Sequence, residues 1–313
     1  MDVTFLGTGA GMPSKTRNTS SMILNLRNEG EDYWMFDCGE ATQHQLLHTS
    51  IKPSKINRIF ITHLHGDHIF GLPGFLSSRS FLGGDTPLTI YGPAGLEAWL
   101  TLTMQTTKTY IPYPIQYEII EDGAVIDFPK FRVSIRKLAH VIDSYGYRVE
   151  EKERSGTLLI EEALKRGVPR GPLLSQLKNG QDIVLANGTL VKSEEVTTAR
   201  QRGRVVTILG DTSYTKASVE LAHEADLLIH EATFDDATST IAKQYGHATI
   251  REAAQVAREA GVKHLLVTHI SARFMKHDLP TFLAQGEAVF SPISIAEDFM
   301  TVDVPLYINN TTV

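Results

Sequence analysis

Short apolar, β-branched runs recur along the chain at residues 3–6, 21–26, 34–37, 56–62, 88–91, 131–138, 205–209, 227–230 and 264–268. Their lengths suit strands rather than helices. Helical patterns lie between them, most clearly over residues 249–260. There Thr249 and Glu252 have the spacing of a capping box, Gly261 supplies a stop, and Ala253, Ala254, Val256 and Ala257 make a small apolar face suited to close packing on a sheet. Strands alternating with helices predict an α/β protein built on sheets. The rhythm lapses between Val149 and Arg204, where Gly156, Gly167, Pro169, Gly171, Pro172, Gly180 and Gly188 cut the chain into short pieces. The expectation is one domain over residues 1–313 with a protruding insertion at 149–204.

With 313 residues, 42% of them hydrophobic and 21% charged, the composition excludes disordered and fibrous classes. No apolar run approaches the roughly 18 to 20 residues of a membrane helix. The first residues, Met1-Asp2-Val3-Thr4-Phe5-Leu6, open on a strand-like pattern without a basic segment and cleavage site, so neither secretion nor a membrane is expected. A single cysteine, Cys38, excludes an internal disulfide and a thiolate-rich zinc finger, and fits a reducing cytoplasm. The net charge of -6 speaks mildly against a nucleic-acid partner, but its distribution changes that picture. Residues 148–204 carry 11 basic and 8 acidic side chains, against 19 and 28 in the remainder.

The strongest chemical signal is Thr62-His63-Leu64-His65-Gly66-Asp67-His68, directly after an apolar run. A strand running into a loop and then a helix can aim His63 and His65 into one pocket, while Asp67 and His68, past the bend at Gly66, face a second metal. Three distant candidates each stand where a predicted strand ends: His140, Asp211 and His269. Ligands in open α/β sheets gather at the carboxyl ends of strands, so these three can converge on the histidine loop. Imidazoles with carboxylates and no thiolate suit catalytic zinc. The expected assignment is His63, His65 and His140 on one zinc, Asp67, His68 and His269 on the other, and Asp211 bridging. Two metals about 3.5 to 4 Å apart would activate water for hydrolysis, and Asp67 is placed to orient that water and take its proton.

The His63-x-His65-x-Asp67-His68 motif with His140, Asp211 and His269 resembles the metallo-β-lactamase superfamily. Further segments narrow the resemblance: residues 5–11 (FLGTGAG), 13–18 (PSKTRN), 36–40 (FDCGE), 210–212 (GDT), 230–234 (HEATF) and 268–273 (THISAR) are together similar to the ribonuclease Z family of tRNA 3′-processing endoribonucleases, over essentially the whole chain. One departure is visible, His247-Ala248-Thr249 where that family usually has His-Ser-Thr. The resemblance implies a four-layer αβ/βα sandwich, two zinc ions per subunit, a homodimer and precursor tRNA as substrate. It implies a hydrolytic cut after the discriminator base that leaves a tRNA 3′-hydroxyl and a 5′-phosphorylated trailer.

His247 stands just before a predicted helix, whose N-terminus disfavours an imidazolium, so service as a general acid requires a carboxylate partner. Glu231, at another strand end, is the candidate, in agreement with the resemblance. Lys15, Arg17 and Arg273 are loop cations suited to neutralising phosphates. The Gly7-Thr8-Gly9-Ala10-Gly11 run lacks dinucleotide spacing because Met12 stands where the last glycine would be, and no organic cofactor is expected. Within the insertion, Gly171 and Pro172 with Arg166, Arg170 and Lys178 are similar to the family's tRNA-binding arm. Two other readings compete: a small-molecule phosphodiesterase or thioesterase of the same superfamily, and a non-catalytic RNA-binding subunit. The first would not need the insertion, and intact ligands speak against the second.

Overall fold

Every residue of the strands Val205–Leu209, Leu227–Glu231 and Leu265–Thr268 is buried, the pattern of parallel strands covered on both faces. These three run parallel, with Ile293–Ile295 parallel beyond them, and Tyr145–Glu151, Phe131–Lys137 and Val125–Asp127 complete a seven-stranded sheet. A second seven-stranded sheet runs Thr301–Asp303, Asp2–Gly7, Ser21–Asn25, Tyr33–Phe36, Ile56–Phe60, Leu88–Gly92 and Ile115–Ile119. Its first four strands pair antiparallel, and those from Tyr33–Phe36 onward pair parallel. The structure is a computed structural model that describes residues 1–153, 156–199 and 201–306. Arg154 and Arg200, counted above among the basic side chains, lie outside the described residues.

Three apolar clusters define the layers. Phe5, Leu24, Trp34, Phe36 and Phe60 of one sheet meet Phe131, Val133, Tyr147, Ile208 and Ile229 of the other. Trp34 lies 4.8 to 5.6 Å, centroid to centroid, from the rings of Phe60, Phe128 and Phe131. The outer face of the first sheet, through Ile23, Met35 and Ile59, packs against the helices Leu72–Phe81 and Leu96–Thr107. The outer face of the second, through Val205, Leu228 and Val267, packs against Ile250–Ala260 and Leu279–Glu287. The order is therefore helix, sheet, sheet, helix, the four-layer sandwich expected. Helix Ile250–Ala260 begins with the capping box of Thr249 and Glu252, ends at Gly261 with φ 65°, and buries Ala253, Ala254, Val256 and Ala257.

The chain divides into two compact units, one of Met1–Val149 with Val205–Pro305 and one containing Glu150–Arg204. The second has helices Ile160–Lys165 and Pro172–Lys178, a small sheet of Ile183–Val184 and Leu190–Val191, and its own buried cluster of Ala163, Val168, Leu177, Ile183, Leu185, Val191 and Val196. No helix among the described residues is long and apolar enough to cross a membrane.

In the first unit, the turn after Tyr33–Phe36 is clamped against the short helix Gly66–Ile69. The Cys38 N–H donates to the His68 carbonyl at 2.7 Å, and the Gly71 N–H to the Cys38 carbonyl at 2.9 Å. A Cβ on Gly71 would stand 1.9 Å from the Gly39 carbonyl oxygen. Gly71→Ala must therefore push the two backbones apart. We expect a loss of about 3 kcal/mol in unfolding free energy, measured by urea titration, at the upper end of overpacking costs. A variant as stable as the parent would mean the contact is not fixed.

Candidate metal centre

The apolar strand Ile56–Phe60 delivers Thr62 and His63 to its carboxyl end, and His65 is the last extended residue before helix Gly66–Ile69. His63 and His68 are 0% and 2% exposed. From other strand ends come Asp211, Glu231 and His269, with His140 in the loop after Phe131–Lys137. Ligand atoms of His63, His65, His140 and Asp211 lie within 4.8 Å of one another, as do those of Asp67, His68 and His269. Asp211 joins the two groups: Oδ2 is 3.5 Å from His63 Nε2 and 3.4 Å from His269 Nε2, and Oδ1 is 3.5 Å from His68 Nε2. All seven residues of the expected ligand set are thus brought together.

The hydrogen bonds around this set test whether a cation fits. His63 Nδ1 meets Thr62 Oγ1 at 3.0 Å, His68 Nδ1 meets Asp37 Oδ2 at 2.7 Å, His140 Nδ1 meets the Gly246 carbonyl at 2.7 Å and His269 Nδ1 meets Thr233 Oγ1 at 2.7 Å. With the outer nitrogen of each ring donating to oxygen, the inner nitrogen presents a lone pair. Those inner atoms crowd together: His63 Nε2 and His140 Nε2 stand 3.2 and 3.3 Å from His65 Nδ1, and His68 Nε2 stands 3.4 Å from His269 Nε2. Lone pairs facing at such distances need positive charge between them, which divalent cations with a preference for imidazole and carboxylate supply.

The electrostatics point the same way. Burial, reinforced by neighbouring imidazoles, holds His63 well below the usual histidine range, so it is neutral. Burial would also lower His68, but Asp211 and Asp37 prevail and hold it well above that range. Burial opposes ionisation of Asp67 too, yet the His269 ring, its Nε2 3.3 Å from Oδ2, and the charge of His68 hold its carboxyl well below the usual range. The carboxylates that favour positive charge beside His68 are the ones a metal cation would meet there.

Asp67 is fixed from outside by the glycine run, whose Gly11 N–H donates to Asp67 Oδ2 at 2.7 Å. Gly11 has φ 70°, a left-handed conformation that favours glycine, whereas a Cβ on Gly7 would lie 1.7 Å from the Thr19 carbonyl oxygen, so that glycine serves a close approach of backbone. His247 Nδ1 stands 2.8 Å from Glu231 Oε1. Burial alone would lower His247, but the Glu231 carboxylate, with Asp211 behind it, raises it to about 9. A cavity of about 210 Å³ opens over the cluster, lined among others by Gly11, His65, Asp67, His247 and Ser271.

The remaining expected residues divide. Lys15 is exposed. Arg273 is exposed and held in place, with Nε 3.1 Å from Ser271 Oγ and the guanidinium 4.8 Å from the Phe234 ring. Arg17 departs from its expected role as a phosphate contact. It is 9% exposed, and its Nη1 donates to Thr8 Oγ1 and the Ala296 carbonyl, so its charge is spent bracing the glycine loop. Gly171, with φ 139°, and Pro172 open a helix of the second unit. Ala248 is fully buried, so the family's serine hydroxyl would lie in the interior at this position. Cys38 is buried and free, its thiol pushed up by burial.

Residues the sequence reading passed over form the surround. Asp37 takes the Thr62 N–H at Oδ1 and both the Thr62 hydroxyl and His68 at Oδ2, each within 2.8 Å. It too ends a strand, the signal that singled out Asp211, and Thr62 and Thr233 lie within motifs already noted.

Comparison with known proteins places the chain. A family model described as "Anti-Pycsar protein Apyc1" matches residues 1–164, and one described as "Beta-lactamase superfamily domain" matches residues 186–270. A Bacillus cereus protein named Ribonuclease Z is 48% identical over 97% of this chain and 99% of its own length. Among solved structures, human tRNase Z, short form, superposes with a TM-score of 0.71 at 34% identity, covering 98% of this chain and all of that one. The metallo-β-lactamase fold protein YhfI from Bacillus subtilis, at 22% identity, shares the fold with a TM-score of 0.67 over 96% of this chain and 98% of its own. On this near-full-length identity, the chain belongs to the ribonuclease Z family of the metallo-β-lactamase superfamily.

Proposed function

We propose that the chain is a zinc-dependent endoribonuclease that removes the 3′ trailer from precursor tRNA, leaving a tRNA 3′-hydroxyl and a 5′-phosphorylated trailer. The observation that carries this reading is the complete His/Asp cluster together with the His247–Glu231 pair, in a chain 48% identical to a protein named Ribonuclease Z. Two zinc ions per subunit, held by His63, His65 and His140 on one side and Asp67, His68 and His269 on the other with Asp211 between, would polarise the scissile phosphate and acidify the attacking water. Asp67, aimed by the Gly11 N–H, orients that water and accepts its proton. His247, charged through Glu231, donates to the departing ribose 3′ oxygen. Lys15 and Arg273 meet flanking phosphates.

In this reading the segment at 149–204 is a tRNA-binding arm. Gly171, Pro172, Arg166, Arg170 and Lys178 are all exposed, although Arg166 is paired with Glu195 at 2.6 Å. Recognition by such a surface depends on shape and salt. The active form is a cytoplasmic homodimer in which one subunit's arm serves tRNA whose end enters the other subunit's site.

The direct test is cleavage of a 3′-extended precursor tRNA, with the cut mapped and a chelator-stripped sample run beside it. A single metal-dependent cut after the discriminator base supports the reading. Precursor tRNA left whole while a small phosphodiester is hydrolysed would transfer the chain to the small-molecule alternative.

Replacing 150–204 by a short linker should raise KM for precursor tRNA and leave turnover of a small phosphodiester within about two-fold, since only uniform binding is removed. Equal loss on both substrates would contradict this division of labour.

Asp67→Ala and His247→Ala should each cut kcat by roughly 10²- to 10⁴-fold, the range of a lost proton-transfer group, while the thermal midpoint stays near that of the parent. Near-normal cleavage by either would remove its assigned role.

A raised His247 pKa means the acid is charged at neutral pH and lost as pH rises through about 9, a limit that nearby cations would draw downward. Glu231→Gln removes the charge that raises it. The basic limb of the kcat profile should then move to lower pH by about one unit or more, and an unmoved limb would separate Glu231 from the acid.

A further inference from the structure

Resting on the reading above, we propose that the Thr233 hydroxyl is a positioning group that ties the metal-ligand set to the His247–Glu231 acid pair. Thr233 is 4% exposed and stands two residues past Glu231, at the mouth of the strand Leu227–Glu231. Its Oγ1 lies 2.7 Å from Glu231 Oε2 on one side and 2.7 Å from His269 Nδ1 on the other.

The hydroxyl has one proton, and the surroundings of Glu231 decide where it points. Oε1 accepts from the Thr212 N–H at 2.9 Å and from His247 Nδ1 at 2.8 Å, and Oε2 accepts from the Thr233 N–H at 3.1 Å. Donors aimed at both oxygens mark an ionised carboxylate, which can only accept. The Thr233 proton therefore goes to Oε2, and the remaining lone pairs of Oγ1 accept from His269 Nδ1–H. That direction fixes the His269 tautomer and leaves the Nε2 lone pair facing Asp67 Oδ2 at 3.3 Å and Asp211 Oδ2 at 3.4 Å, where a cation would be held. His269 itself sits at φ 56°, a left-handed conformation that costs a non-glycine residue free energy and persists where the surroundings hold it.

One oxygen thus sets two orientations. Without it, the His269 Nδ1–H is buried with no acceptor and the ligand is free to turn. Glu231 Oε2 keeps only the longer backbone bond, and the carboxylate that aims His247 loosens. Metal loading and alignment of the acid are coupled through this hydroxyl.

Thr233→Val is nearly isosteric and removes only the hydroxyl, whereas Thr233→Ser keeps it. Three readouts separate the two duties: zinc affinity by chelator competition without substrate, and kcat at saturating zinc on a 3′-extended precursor tRNA and on bis(p-nitrophenyl) phosphate. The ribose oxygen needs a proton to leave, while p-nitrophenolate departs as a stable anion. We expect Thr233→Val to bind zinc about 10- to 100-fold more weakly, the usual effect of losing a ligand's outer hydrogen bond. At saturating zinc its kcat on bis(p-nitrophenyl) phosphate should return to within about three-fold of the parent, while kcat on precursor tRNA stays about 10- to 100-fold down with KM little changed. Thr233→Ser should resemble the parent in all three.

Unchanged zinc affinity in Thr233→Val, or full recovery on both substrates with zinc, would overturn the coupling. So would Thr233→Ser failing as badly as Thr233→Val, because the lost methyl would then be the cause. If the parent leaves precursor tRNA whole, the function proposed above fails, and the zinc affinities of the two variants still decide the role of Thr233.

Discussion

Buried lone pairs turned toward one another are the constraint on which this structure depends. The ring nitrogens of His63, His65 and His140, and of His68 and His269, approach within 3.2 to 3.4 Å, with Asp211 reaching into both groups. Such an arrangement is unfavourable by itself, because each group has lost water and faces others that also accept. Protein groups hold it in place from behind: Thr62, Asp37, the Gly246 carbonyl and Thr233 each take up an outer nitrogen. The sheets in turn hold those groups, since most of the cluster and its supports sit at or just beyond strand ends in a sandwich whose interior is packed with aromatic rings. Close backbone contacts at Gly7, Gly39 and Gly71 bring the loops near enough for this to happen.

Two kinds of group meet in the cavity as a result. The carboxylates and imidazoles on one wall suit cations. On the other, His247 keeps a proton because Glu231 is ionised and fully surrounded by donors. With Asp67 as the proposed proton acceptor and His247 as the proposed donor, the site would match hydrolysis of an ester with a poor leaving group, for which acid and base are both needed. Buried Arg17 and exposed Arg273 illustrate how the same charge is put to different uses. The first braces the loop that presents Gly11, and the second lies exposed over the Phe234 ring.

Much of this was legible in the sequence. The strands with strong apolar runs, such as Val205–Leu209 and Leu265–Thr268, stand where the pattern puts them, and the Thr249–Glu252 box marks its helix because its signal is local. Strands Ile115–Ile119, Val125–Asp127 and Ile293–Ile295 escaped because they lie at or near sheet edges and alternate with polar residues. Tyr145–Glu151 escaped because charged residues break its run, although five of its seven positions are buried and Tyr145, Tyr147 and Val149 belong to the core. Convergence of the ligands could be argued from strand ends. Asp37 and Thr233 stand just past strand ends, but their roles could not be assigned, because an outer hydrogen bond depends on tertiary geometry that leaves no spacing in the chain. Arg17 misled for the same reason, since nothing local distinguishes a loop cation that turns inward from one that faces solvent.

The central claim, that the clustered lone pairs are a two-cation site, is tested most directly by crystals of the zinc-loaded protein and an anomalous difference map at the zinc absorption edge. The account predicts two peaks about 3.5 to 4 Å apart, one among His63, His65 and His140 and one among Asp67, His68 and His269, with Asp211 between. No peak within the cluster, or zinc held only elsewhere on the surface, would contradict it.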